Sequence, residues 1–308
     1  MKRRIQKHDP TALSSRLLRR PIQRAFPLFI LPTLIAFSIG FLYPFALGLY
    51  RSFCKFTSPV DYEWDGFNNY IKAFQDDGFL SAFQFTSLYA IVSIILINIL
   101  AFALAYSLTQ KLRGSNIFRT VFFMPNLIGG IVLAYIWKLI FDAALRSIEW
   151  PPMLTSANLG FWGLVILVAW QQIGYMMIIY IAGLQAVPED MLEAAKIDGA
   201  NKWQTLWRVI IPNVMPSITI CVFLTLTNSF KLFDQNLALT GGYPYIINAD
   251  GTSVHTTEML ALNIYNTFYG QGSTSRGTAQ AKAVLFFILV AGLGLLQLSS
   301  TRKKEVQQ

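Results

Sequence analysis

The chain has 308 residues, a formal net charge of +9, 54% hydrophobic but only 13% charged residues, and a mean hydropathy of +0.45. Soluble globular domains carry about 25% charged residues, so this composition excludes an ordinary water-soluble globule. The basic residues lie scattered between long charge-free runs and gather on no one folded surface, which excludes a nucleic-acid-binding role.

The N-terminal segment Met1–Arg24 holds Lys2, Arg3, Arg4, Lys7, Arg16, Arg19, Arg20 and Arg24 against the single acid Asp9. The charge-free runs Phe26–Tyr50, Gly78–Gln110, Thr120–Trp137, Trp150–Val187, Val209–Phe230 and Ala283–Thr301 follow it. A hydrocarbon core of about 30 Å takes about 20 apolar residues of helix, and in lipid each backbone polar group must bond within its own segment. The runs therefore predict an all-α integral membrane protein with six transmembrane helices, over residues 26–50, 79–108, 118–141, 159–184, 212–233 and 280–300. They form one domain, 25–301, between a basic tail, 1–24, and a short tail, 302–308. The first run is longer than a secretory signal core and lacks a small-residue cleavage site, so it reads as a retained helix.

Lys and Arg set the orientation. With the basic tail in the cytoplasm, Lys111, Arg113, Arg119, Lys196, Lys202, Arg208, Arg302, Lys303 and Lys304 also fall inside. Arg51, Lys55, Lys72, Arg146, Lys231 and Arg276 fall outside, so both termini are expected to be cytoplasmic. Lys138 and Lys282 are expected near outer helix ends, where long side chains snorkel. Cys54 and Cys221 belong to different depths and predict no disulfide. His8 and His255 read as surface residues.

One charged interruption stands between the fourth and fifth spans, EDMLEAAKIDGANKWQTLWRVIIP, Glu189–Pro212. Pro188, Glu189 and Asp190 open a short helix, since proline suits a first turn and acids suit the N-terminal dipole. Gly199 is expected to end it in a left-handed cap, Asn201 to cap a second helix Lys202–Ile211, and Pro212 to open the fifth span. Met191, Leu192, Ala194 and Ala195 offer a small, soft surface. The acids Glu189, Asp190, Glu193 and Asp198 would repel anionic headgroups, which favours a protein partner over a lipid surface.

The stretch EAAKIDGANKWQTLWRVIIP closely resembles the EAA loop of the permeases of binding-protein-dependent ABC importers. The stretches LPTLIAFSIGFLYPFALGLYRSF, GFNNYIKAF, RGSNIFRTVFFMPNLI, IWKLIFD and SFKLFDQNLALTGGYP resemble signatures of the carbohydrate-uptake branch, of the maltose, multiple-sugar and glycerol-phosphate type, in the same order. Tyr243 departs from the pattern, standing where a glycine usually precedes the proline. A longer external connection, IINADGTSVHTT, follows, in which Asp250-Gly251 reads as a hairpin turn.

The resemblance implies a type I ABC importer permease fold in the cell membrane. It implies that Glu193, Ala194, Ala195, Asp198, Gly199 and Ala200 couple the chain to a cytoplasmic ATPase. The implied partners are a second homologous permease, two ATPase subunits, an external solute-binding protein and a sugar substrate.

The chain has no G-x-x-x-x-G-K-[ST], H-E-x-x-H or G-x-S-x-G stretch and no Cys/His cluster. It is therefore expected to need no metal or cofactor, to catalyse no reaction, and to leave ATP to its partners. The sequence places nothing ionisable deep in a span, where charge marks ion or proton paths. Polar spanning residues should turn inward. Thr225, Asn228 and Ser229 of the fifth span, whose positions resemble where sugar permeases hold solute, are the candidate substrate path, with Asp142 and Tyr175. Gln171, Gln172, Tyr89 and Asn98 are further polar candidates. Importers of a sugar or oligosaccharide, the same machine for a polyol, sugar phosphate or peptide, and a stand-alone secondary carrier remain open readings.

Overall fold

The computed structural model describes residues 30–58, 60–110, 114–249 and 251–302. The expected tail 1–24, all of the expected tail 302–308 but Arg302, the start of the first span, Lys111, Arg113 and the turn residue Asp250 lie outside the described residues. The architecture is helical, as expected, with two small hairpins added. Among the described residues five helices are long and apolar enough to cross a membrane, and a sixth crossing is made if one sharply bent pair counts as a single span.

The chain divides at Arg51–Ser52 into two compact units. The first contains α1 (Ile30–Arg51). Its turn Ser38–Leu42 is π-helical, just ahead of Pro44, whose missing N–H interrupts the helical ladder. Phe37, Phe41 and Phe45 stack along its side at 5.1 and 6.0 Å.

The second unit starts with the antiparallel hairpin β1 (Cys54–Phe56) and β2 (Tyr62–Trp64), in which Cys54 pairs with Trp64. A short helix α2 (Asn68–Gln75) leads to α3 (Asp77–Leu108). Asp76 separates the two and caps α3, its carboxylate accepting from Phe79 N at 3.2 Å. Next come α4 (Ser115–Phe123), α5 (Gly130–Ser147), α6 (Ala157–Gln185) and α7 (Glu189–Ile197). They are followed by α8 (Lys202–Phe230), α9 (Asp234–Leu239), a second antiparallel hairpin of β3 (Tyr245–Ile247) and β4 (Ser253–His255), α10 (Leu260–Gly270) and α11 (Arg276–Arg302). The second hairpin flanks Gly251, which takes φ +83° in the turn.

The core runs along α3, α6 and α8. Ile97, Ala101 and Ala105 of α3 meet Met176, Met177 and Tyr180 of α6 and Val214 and Cys221 of α8. Alanine spacing on α3 lets the backbones approach, the usual means of helix association in lipid. Gly174 carries this furthest: a Cβ there would lie 1.8 Å from the Phe122 carbonyl oxygen. Phe79, Ala82 and Phe230 form a further cluster, against which Leu285, Phe286 and Leu289 of α11 pack.

Three expectations need correction. The third span, expected as one helix over 118–141, is broken: Ser115–Leu127 and Gly130–Ser147 meet at 101°. Met124–Leu127 is a tight 3-10 turn with Pro125 in it, and Ile128 and Gly129 are extended at ψ 133° and 137°. The expected separate second helix of the charged interruption does not exist. Asn201 does cap it, but the helix runs unbroken from Lys202 into the fifth span. Pro212 removes one backbone donor, and the turn Leu206–Ile210 widens to a π-turn in place of breaking.

Finally, Lys282 does not snorkel. It is 0% exposed on α11, and its ammonium donates to Asp76 Oδ2 at 2.6 Å, Asn263 Oδ1 at 2.9 Å and Thr267 Oγ1 at 2.8 Å. Lys282 does stand near the start of the last helix, as expected, but its charge is buried in protein. Its partners come from chain segments that the fold alone brings together.

Candidate functional site: a capped elbow and a polar cavity

The charged interruption folds as an elbow. Helix α7 ends where Ala200 N donates to Ala195 O at 2.9 Å and Gly199 N to Lys196 O at 3.1 Å. This pair of bonds is the Schellman closure. It requires the left-handed conformation that Gly199 adopts at φ +74°. Two residues on, Asn201 and Gln204 cap α8 reciprocally: Gln204 N donates to Asn201 Oδ1 at 2.8 Å and Asn201 N to Gln204 Oε1 at 2.9 Å. A C-cap and an N-cap share four residues, so α7 is fixed to the end of α8 with no slack.

Among the residues expected to couple, Glu193, Ala194, Asp198 and Gly199 are exposed, whereas Ala200 is half-buried and Ala195 is buried against its own chain. Leu192 also packs inward, onto the α3–α6–α8 core. Of the expected soft surface Met191 and Ala194 are exposed, and the accessible apolar surface of the elbow extends to Ile197, 86% exposed, with Trp203 and Trp207. The two indoles meet edge-on at 5.6 Å between centroids. Their spacing of four along one helix was the signal in the sequence. Asp198, Gly199, Gln204 and Arg208 border a groove of about 350 Å³ at the inside of the bend.

The second site lies at the broken third span. The break frees the carbonyl of Ile128, which accepts from Gln171 Nε2 at 3.1 Å. Gln171 Oε1 in turn accepts from Gln235 Nε2 at 2.8 Å. Gly130 lets the corner seat closely, since a Cβ there would lie 2.9 Å from both Asp234 Cβ and Gln235 Nε2. Beside this bridge is a cavity of about 280 Å³, lined by Gln172, Asn228, Lys231, Leu232, Phe233, Asp234 and Gln235. Gln172 Oε1 is buried with no hydrogen-bond donor among the described residues. Irregular backbone at membrane depth is tolerated where it is buried in protein or lines a cavity, and a cavity with both donors and acceptors suits a polar solute.

The structure separates the candidate path residues. Asn228 lines the cavity. Thr225 does not: it is fully buried, donates to Cys221 O at 2.8 Å and accepts from Asn98 Nδ2 at 3.2 Å. Tyr180 donates to Asn98 Oδ1 at 2.7 Å, completing a tie between α3, α6 and α8. Ser229 is likewise buried in the helix packing. Asp142 accepts from Met153 N at 3.4 Å and holds the turn after α5. Tyr175 is half-buried and packs with the α6 core. Lys231, Asp234 and Gln235 line the cavity without having been expected there, because they follow the fifth span in the chain and fold back over its end.

Comparison with known proteins gives the chain a family and its fold a counterpart. A family model described as "Binding-protein-dependent transport system inner membrane component" matches residues 99–303. The chain is 41% identical over 287 residues to the "Probable starch degradation products transport system permease protein AmyD" of Thermoanaerobacterium thermosulfurigenes, covering 91% of this chain and 94% of that one. It is 31% identical over 287 residues to the "Multiple sugar-binding transport system permease protein MsmF" of Streptococcus mutans serotype c, covering 90% and 95%. Among solved structures, a chain of a bacterial ABC transporter involved in the import of the acidic polysaccharide alginate has the same fold. It superimposes with a TM-score of 0.76 at 21% identity over 93% of this chain and 98% of its own.

Proposed function

Because the chain belongs to the family of binding-protein-dependent transport system inner membrane components, we propose that it is the permease subunit of an ATP-driven importer of a sugar or oligosaccharide. The substrate class rests on one observation above the others: 41% identity, over nearly the full length of both chains, to a permease of starch degradation products. The cavity suits that class. Asn228, Gln172 and Gln235 supply amide donors and acceptors for hydroxyl groups, and Phe233 gives an apolar face beside them.

The chain forms half of a translocation path, with a second homologous permease supplying the other half. Two cytoplasmic ATPase subunits bind and hydrolyse ATP, and an external solute-binding protein delivers the solute. ATP-driven movement of an ATPase subunit displaces α7 through Glu193, Ala194, Asp198, Ile197 and Trp203. The capped elbow passes that displacement into α8, whose far end carries Asn228 to the cavity. The chain itself catalyses nothing. It converts a push at one end of α8 into a change at the other.

The test is reconstitution of the complex in vesicles with radiolabelled oligosaccharide. Uptake is expected to need ATP, both permeases, the ATPases and the loaded binding protein. Uptake by this chain alone, without nucleotide, would overturn the reading in favour of a stand-alone carrier. Delivery of peptides or polyols but no saccharide would overturn the substrate class.

A further inference from the structure

Helix α2 (Asn68–Gln75) presents three different surfaces. At about 100° per residue, Asn69, Tyr70 and Ala73 share one arc and face the protein. Asn69 Nδ2 donates to Ser52 O at 3.0 Å and to Cys54 O at 2.8 Å, and Tyr70 Oη lies 2.7 Å from Ser52 Oγ. Gly277 of α11 is pressed against the same patch, where a Cβ would stand 2.3 Å from Cys54 O. A second arc, Asn68, Lys72 and Gln75, is polar and exposed. The third, between them, is the stripe Phe67, Ile71 and Phe74, which is apolar and 69%, 52% and 59% exposed. Trp64, 63% exposed, stacks on Phe53 at 5.3 Å, and Phe67 meets the same ring edge-on at 5.3 Å.

The position of this helix identifies what covers the stripe. It ends one residue before the span α3 and packs against the first turn of α11, so it lies at the ends of two membrane-crossing helices. The apolar exposure carries on into α3 through Leu80, Phe83, Leu88, Ile91, Ile95 and Ile99. Chain order places this end opposite the elbow, since one crossing separates α2 from α4 and the elbow follows two crossings later. A helix with a protein-packed arc, a polar arc and an apolar arc matches the requirements of the bilayer boundary: one side against the bundle, one in acyl chains, one in water. Aromatic rings concentrate at that depth. A soluble partner would be expected to meet the polar arc, which points away from the bundle.

We propose that Trp64 and the Phe67–Ile71–Phe74 stripe form an interfacial anchor, immersed in the headgroup–acyl boundary of the leaflet opposite the elbow. The anchor fixes the depth of Asp76, and with it the Asp76–Lys282 ion pair that joins α3 to α11.

The test uses the assembled transporter in nanodiscs of phosphatidylethanolamine and phosphatidylglycerol. Ile71→Cys, Phe74→Cys and Lys72→Cys are labelled with nitroxide; native Cys54 and Cys221 are buried, and unsubstituted protein gives the background. At positions 71 and 74, collisions with dissolved oxygen should exceed collisions with a water-soluble nickel chelate. At position 72 the ratio should invert. Equal nickel access at all three positions would overturn the proposal in favour of a water-exposed helix. Shielding of 71 and 74 from both reagents would overturn it in favour of a protein partner. Brominated phospholipid gives a second readout on the unlabelled chain. Wild type should lose more tryptophan fluorescence than Trp64→Phe, and equal losses would again overturn the anchor.

Discussion

At the residue scale, amide and charged side chains decide what the molecule can hold. Asn228 and Gln172 face the cavity, and Gln172 Oε1 has no donor among the described residues. Each hydrogen bond to solute contributes about 1 kcal/mol, so Asn228→Ala or Gln172→Ala should lower uptake at limiting solute roughly five-fold. Assembly and basal ATPase activity should stay unchanged, because neither residue ties helices together. Thr225→Ala is the contrasting variant: it removes a buried interhelical bond and should lower stability before it alters solute preference. Parallel uptake and thermal-stability measurements on these variants check the division. Lys282 is the other decisive residue. Lys282→Met leaves Asp76, Asn263 and Thr267 without their shared donor, and removing one partner of a buried pair costs about 3–5 kcal/mol. The lower end applies, since the Asp76 side chain remains 30% exposed. The double change Lys282→Met with Asp76→Asn should recover part of that loss in detergent melting curves.

At the element scale, close approach of backbones explains why particular helices meet. Gly174 sits where α6 crosses the end of α4, with the Phe122 carbonyl in the space a methyl group would need. Backbone cannot swing aside as a side chain can, and overpacking costs typically 1–3 kcal/mol, occasionally more. Gly174→Ala should therefore force α4 and α6 apart, lower the melting temperature and disturb the neighbouring break at Ile128. Gly292→Ala, where nothing lies within 4 Å of the added methyl, should be neutral or slightly stabilising. Melting curves of the two variants side by side separate packing from helix propensity. The break itself combines residues from three places: Pro125 and Gly129-Gly130 end the helix locally, Gln171 satisfies the exposed carbonyl, and Gln235 holds Gln171.

At the scale of the whole molecule, the two candidate sites occupy opposite ends of α8. Its elbow end is locked by the Schellman closure at Gly199 and the reciprocal cap at Asn201, and its other end carries Asn228. Its regular ladder is interrupted by the π-turn at Leu206–Ile210 and by the missing N–H groups of Pro212 and Pro216. Glu193→Arg reverses charge on the exposed face of α7 without touching the core, and Gly199→Val strains a left-handed position by about 1–2 kcal/mol. Both variants should insert and assemble, yet show uptake reduced ten-fold or more while the ATPase subunits turn over without stimulation by the loaded binding protein. Wild-type uptake from either variant in reconstituted vesicles would detach the elbow from the coupling role.

The sequence by itself determined the solvent of this protein, the number of apolar runs and the elbow with its two caps. Those features depend on composition, run length and signals within a few residues of one another, as with Gly199 and Asn201. Tertiary structure decided which polar residues face open space. Thr225 and Asn228 are three residues apart on one helix with similar chemistry, and only the arrival of Asn98 and Tyr180 assigns the first to packing and leaves the second to the cavity. It also decided the state of Lys282, whose neighbours in the sequence are apolar and whose partners lie as far away as Asp76. Local chemistry sets what a segment can become, but burial and pairing depend on contacts between distant segments, and those exist only once the helices have packed.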